Sequence, residues 1–551
     1  MNDLRQALYN HDLLLLRVIG EWWELDLTGE EKPAAVAALA ERLAGLDLQA
    51  EMASLMPEES AALLQLARAD GRLPVAAFER EYGGIRMMGP GRMEREEPWL
   101  DPVSPAEELW YHGLLYRAFG PPDDGDAIEY YYLPPELLVA FGDLPPAEPA
   151  RPAPTPARPL PAGPPERFTP ASGRALEDLT TLLSLTQSRG LPDAPAAAWG
   201  PYLLDPDPTR LALLTSLAWE LALLRQDEAG ARPARKVLSW LKNGREAQLR
   251  ELADAWSRSS WNELCNTPGL LCEGSGWQND PLLARAALLE ALPRTAEWRG
   301  LADLVAQLKQ QQPDFQRPDS NYDTWYIRDQ ESGQYLSGFA HWDQVEGRLL
   351  RFLVNGPMSW LGLAEAGPAA GGQTVFRLTE RALAWLADRP APAAETPSPL
   401  IVQDDATVLA PPNAGRLQRF QLARVAEMRP AEPGQAHVYR LTPRSLAAAV
   451  EQGIDAGRVS AFLAEASGRE LPAGVKRALE RWAANGAEAR LESLVVLRVS
   501  QTSILEKLRA NPKTRPLLGE AVGDLVAAVR PQDVEPLRRA AAKLGLLLDE
   551  A

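Results

Sequence analysis

From Pro145 to Pro170, 11 of 26 residues are proline, and no other stretch constrains the fold of this chain as strongly. Each proline fixes its own φ and removes a backbone donor, so neither a helix interior nor a central strand can pass through. The residue before each proline is pushed toward extended geometry, and the composition favours polyproline II. The chain is therefore predicted to break here into separately folded parts joined by a semi-rigid spacer. A shorter proline block, DRPAPAAETPSP from Asp388 to Pro399, divides it again. The expected organisation is a domain over 1–144, a linker over 145–170, a middle region over 171–387, a linker over 388–399 and a C-terminal domain over 400–551.

Within those bounds the apolar spacing is mostly helical. At 551 residues, 46% of them hydrophobic, the chain can build three or four cores. Leu39, Leu43 and Leu46 recur at helical spacing behind Pro33, which suits a first turn. Ser104, followed by Pro105 and Glu107, predicts a helix start that puts Leu109, Trp110 and Leu114 on a buried stripe. IEYYYL then reads as a strand, and helix, helix, helix, strand predicts a winged-helix-like module. Residues 171–387 repeat this style with 11 of the 16 tryptophans, predicted to pack rather than to stack on bases. The tail alternates β and α, from LIVQDDATVLA to a last strand at GLLLDE. The fold class is predicted to be mainly α: tandem winged-helix-like modules followed by an α/β C-terminal domain.

The tail also carries several separated pieces in a fixed order. These are the strand LIVQDD (Leu400 to Asp405), the step YRLTPRSL (Tyr439 to Leu446), the helix AAAVEQG and the turn ELPAGV opening a last helix. Together they resemble the N-terminal domain of XPB-type helicases, and the whole chain loosely resembles bacterial helicase-associated proteins. The resemblance implies a role in DNA repair or transcription, with a regulatory rather than a motor part for this domain. A motor needs a Gly-rich loop ending in Lys-Ser/Thr to cradle phosphate. No Gly-Lys-Ser/Thr occurs, and the Gly-rich run GGIRMMGPGR (Gly83 to Arg92) has no lysine and is interrupted by Pro90, so it is read as a turn.

Charge narrows the partners. The net −18 divides into −15 over residues 1–170, −6 over 171–397 and +3 over 398–551, so any contact with a polyanion is expected in the tail. The candidate nucleic-acid-binding residues there are Arg416, Arg419 and Arg424 along one helix, Arg440 and Arg444 around the YRLT step, and Arg469, Lys476, Arg477 and Arg481 around the helix after Pro472. Arg477 and Arg481 stand at i and i+4, hence on one face, and the planar guanidinium suits phosphate. Local pairing with Glu470 and Glu480 is the structural alternative.

Other chemistry is weakly supported. Cys265 and Cys272 lack the companions of a zinc site and are expected to be reduced thiols. His11, His112, His341 and His437 are scattered, and Asp343 beside His341 has no nucleophile to serve. Asp404 and Asp405 alternate across a strand and cannot both line one site. No cofactor, metal or catalytic residue is expected. No run of eighteen apolar residues exists, so a soluble cytoplasmic protein is expected, with no membrane contact. The leading expectation is a non-enzymatic helicase-associated factor that binds DNA or docks a separately encoded helicase or a transcription or repair protein. The alternative is a protein–protein adaptor without nucleic-acid affinity.

Overall fold

The computed structural model describes residues 2–120, 128–141, 160–168, 170–171, 173–228, 230–390, 396–486, 488 and 495–549. They form two compact units: Met1–Leu400 with Leu409–Arg424 and Met428–Tyr439, and Ile401–Val408 with Val425–Glu427 and Arg440–Ala551. Part of the expected C-terminal domain thus folds with the first unit. Helices alternate with small sheets in both units, so the front two-thirds is an α/β mix rather than mainly helical.

The first unit opens with the helices Leu4–Tyr9, Leu13–Trp22, Lys32–Ala44 and Pro57–Arg68, followed by the strand Arg72–Pro74. The helices Val75–Tyr82 and Pro105–Tyr111, separated by a shorter one at Pro90–Glu96, and the strands Tyr116–Gly120 and Ile128–Tyr132 follow. Ser104 caps the second of those helices by accepting from Glu107 N, as its sequence position predicts. The last strand lies in the middle of an antiparallel sheet, with Tyr132 opposite both Arg72 and Tyr116. The helices close a core in which Leu16, Ile19, Leu39, Leu43, Leu66 and Leu109 are fully buried.

The same plan recurs in the middle region. A strand (Arg299–Gly300), two helices (Leu301–Gln311 and Glu346–Leu353) and a hairpin (Ala364–Pro368, Thr374–Leu378) again place the third strand centrally, with Val375 opposite Gly300 and Gly367. In both parts the helix before the hairpin is buried along most of its length. Trp199, Trp240, Trp256, Trp261 and Trp342 are buried in this core, so these tryptophans pack. Three buried ion pairs hold it as well: Asp178 with Arg210, Glu263 with Arg285 and Glu346 with Arg317, each at 2.7 Å.

Two expectations about this unit are corrected. Cys265 and Cys272 are joined in a disulfide, because Gly269, with φ at +84°, turns the short helix Glu263–Asn266 back into the strand Leu270–Cys272. The end of the proline block is paired with the sheet: Ala162 N donates to Trp298 O beside one edge strand, Arg299–Gly300, and Glu166 N to Pro368 O of the other, Ala364–Pro368. Proline is tolerated at an edge, and the residues between the prolines supply the donors. Residues 145–159 of that block lie outside the described residues. Gly367 permits the close approach, since a Cβ there would overlap Arg167 O and press on Pro165 and Phe168. Gly367→Ala is expected to lower stability by about 1–3 kcal/mol and to open the Arg167 bond to trypsin. An unchanged melting temperature with Arg167 still protected would show that the segment does not need this close approach.

The second unit carries the helices Pro443–Glu451, Ala456–Ser467 and Ala473–Asn485. Thr442 and Ser445 cap the first reciprocally, each hydroxyl accepting from the other's backbone N–H at 3.0 and 3.1 Å. Asp455 caps the second, and Gly468 closes it in a left-handed conformation, φ +62°. After the strand Val495–Arg498 and the helix Thr502–Ala510 come the strands Ala521–Gly523 and Val526–Val529, and the last strand is again central. The helix Val534–Ala542 follows. GLLLDE does not form the expected strand through Asp549, the last of its residues described, and Leu547 is 89% exposed. An apolar run forms a strand only where a ladder offers it partners.

Candidate nucleic-acid interface

Burial separates the nine candidate residues into two groups. Arg416 and Arg419 sit on the helix Arg416–Leu422 and turn into the first unit. Arg416, 8% exposed, donates from Nε to Gln248 Oε1 at 2.5 Å and from Nη2 to Asn243 O at 3.1 Å. Burial pushes its pKa down to about 10. Arg419, 1% exposed, pairs with Glu177 and donates to Thr181 Oγ1 at 3.0 Å. Arg424 is half-buried and bonded to Gln421 at 2.9 Å. Only Arg416 and Arg419 share the helix; contrary to the expectation of one helix for all three, Arg424 lies in the turn past its end. The helix points Arg416 and Arg419 toward protein carboxylates and amides rather than solvent, with no access to a phosphate.

The other six, Arg440, Arg444, Arg469, Lys476, Arg477 and Arg481, are exposed in the second unit. On the helix Ala473–Asn485, Val475 and Leu479 face inward and Arg477 and Arg481 outward, as their spacing predicts. This face is not purely basic. Arg481 is ion-paired with Glu488, and Asn485 holds the same carboxylate at 2.7 Å. The mutual hydrogen bond raises the Arg481 pKa and lowers that of Glu488. Both groups are solvated, so the pair adds little to stability.

A second group of exposed basic residues lies outside the candidate set. Lys507, Arg509, Lys513 and Arg515 are all exposed within nine residues, at the C-terminal end of the helix Thr502–Ala510 and the turn after it. Between Lys507 and Arg515 no acidic residue intervenes, whereas Glu470, Glu480 and Glu488 are interspersed around Arg477 and Arg481. The spacing K-x-R-x3-K-x-R is the signal that marks it in the sequence. Basic residues at a helix C-terminus also complement its dipole, which is the ordinary structural role for Lys507 and Arg509.

Among the described residues no group of His, Cys, Asp and Glu that could hold a metal ion is present. No described helix is long and apolar enough to cross a membrane.

Residues 400–523 match the family described as helicase conserved C-terminal domain. A protein of Kineococcus radiotolerans named DNA 3'-5' helicase XPB is 34% identical over 157 residues, covering 27% of this chain and 28% of that protein. The chain therefore spans little more than a quarter of that relative's length. This part of the chain is helicase-related. The family description names a C-terminal helicase domain and not the XPB-type N-terminal domain that the motifs of the tail led us to expect.

Proposed function

We propose that this chain is a helicase-associated factor that contacts nucleic-acid phosphates through its second unit and carries no motor of its own. The observation that carries the proposal is the coincidence, within the helicase-related segment 400–523, of six exposed candidate residues and the unopposed run from Lys507 to Arg515. The missing Gly-Lys-Ser/Thr supports the passive role, since nothing else in the sequence offers a backbone cradle for a nucleotide triphosphate. The ordered pieces from LIVQDD to ELPAGV support the domain that accompanies the motor in XPB-type helicases, with DNA repair or transcription as the setting and the cytoplasm as the compartment. The Cys265–Cys272 disulfide is the one observation against that compartment, since a reducing cytoplasm would open it.

The repeated plan of strand, two helices and hairpin, with the third strand central, supports winged-helix-like modules in the first unit. Their helices before the hairpin are buried, so these modules act as scaffold rather than as groove readers. The charge of −15 over residues 1–170 favours the second reading, a protein–protein adaptor that docks a helicase or a transcription or repair protein.

Anisotropy titrations of the full chain with duplex DNA across a salt series distinguish the two. Binding that falls steeply with salt is expected. Replacing Lys507, Arg509, Lys513 and Arg515 with Ala should lower the log-log slope by about one unit for each phosphate no longer neutralised, as should Arg477→Ala with Arg481→Ala. DNA-stimulated ATP hydrolysis should not exceed the buffer control, and robust turnover would overturn the motor-free reading. A chain that binds no DNA even at low salt would put the adaptor first.

A further inference from the structure

A cavity of about 530 Å³ opens in the N-terminal part of the first unit, between the first helices, the sheet and the Gly-rich run Gly83 to Arg92. Two of its polar groups have no partner. His11 Nε2 and the Tyr116 hydroxyl are both buried and make no hydrogen bond, in residues only 8% and 1% exposed. Such groups are expensive to leave unmatched, and buried polar atoms are nearly always satisfied by protein, water or a ligand. The two rings lie side by side, 5.5 Å apart and 20° from parallel, with Trp110 edge-on to His11 at 4.8 Å. Met88 and Met93 add apolar wall, and Phe119, 70% exposed, stands at the rim.

The charged groups around the cavity are already engaged. Arg86 is held by Glu107, Arg117 by Glu129, and Asp12 accepts from Leu15 N at 2.9 Å. The cavity is therefore no phosphate site, consistent with a Gly-rich run that lacks lysine. Burial keeps the Tyr116 proton on, its pKa well above the usual value, and pushes His11 down to about 4, so both groups are neutral at pH 7. A neutral donor and acceptor, inside aromatic and thioether walls, match a flat uncharged heterocycle with a polar edge.

We propose that this cavity binds a nucleobase, read by hydrogen bonds to His11 Nε2 and the Tyr116 hydroxyl and packed against Trp110. The proposal is independent of the phosphate contacts assigned to the second unit. The base can arrive as a free nucleoside or from an unpaired strand, and the acidic charge of this part of the chain favours the nucleoside.

The test is a titration of the full chain with adenosine, guanosine, cytidine and thymidine, and separately with a single-stranded thymidine oligonucleotide, followed by tryptophan fluorescence and ligand-observed NMR. At least one nucleoside is expected to saturate the cavity below about 1 mM. Tyr116→Phe should weaken that binding about five- to tenfold, the loss of one neutral hydrogen bond, without lowering the melting temperature, because the hydroxyl removed has no protein partner. His11→Phe should weaken it similarly and serves as the second variant. Binding of the oligonucleotide but of no nucleoside would assign the base to a strand. No saturation by any of the five probes at about 10 mM, or a Tyr116→Phe variant that binds as tightly as the natural chain, would overturn the proposal and leave a cavity occupied by water only.

Discussion

Replacing Arg419 with Ala is expected to remove about 3–5 kcal/mol of stability from the first unit, because it leaves Glu177 with one of its two arginine partners gone inside the protein. The guanidinium spans 242 residues of sequence to reach that carboxylate and also donates to Thr181 on the same helix, Arg174–Arg189. Losing it therefore loosens the docking of the helix Arg416–Leu422. Arg477→Ala, by contrast, should shift stability by no more than about 0.5 kcal/mol, its side chain being on the surface. Urea unfolding of the two variants, read beside DNA binding, separates their roles. A stable Arg419→Ala variant with weakened DNA binding would mean that this arginine faces solvent.

Acidification should weaken the first unit strongly. Burial lowers the pKa of His11 and His112 to about 4, and that of His437 to about 3 with help from the nearby Arg419 charge. Between their ordinary value near 6.5 and these folded values, the unfolded chain binds protons that the folded chain refuses. Stability is therefore undiminished above about pH 6.5 and falls as pH drops toward 4, by on the order of 3 kcal/mol for each histidine once protonation is complete. Burial acts the other way on Asp178, Glu263 and Glu346, whose raised pKa values favour folding as the pH falls. The informative quantity is therefore the difference between the natural chain and a His11→Phe variant. Unfolding free energies at about pH 7, 5.5 and 4.5 should diverge, the variant losing less on acidification. Parallel pH profiles would show that His11 takes up its proton as readily in the fold as in the unfolded chain.

Local signals are legible in this sequence because they act over one or two turns. Ser104, Thr442 and Asp455 start helices by accepting from the backbone N–H three residues on, and IEYYYL forms its strand as expected. The ordered pieces of the tail point to the helicase relationship that residues 400–523 bear out. The run from Lys507 to Arg515 is equally plain in the sequence, but nothing local separates it from a helix end that merely complements its dipole, and only the structure shows that all four of its basic residues are exposed.

What the sequence determined by itself was therefore the placement of the helices, the proline interruptions, the sign of charge along the chain and the absence of a Gly-Lys-Ser/Thr loop, since each depends on neighbouring residues alone. Only the tertiary structure decided that Arg419 is buried while Arg477 is exposed, because the carboxylate that draws Arg419 inward lies at Glu177, far away in the chain. It likewise decided that residues 160–168 bond to both edge strands of a sheet, that GLLLDE finds no ladder, and that the cavity beside the Gly-rich run keeps two unmatched polar groups. Helix caps are satisfied locally, whereas burial, edge pairing and hydrogen-bond satisfaction depend on which distant elements the packed core brings together.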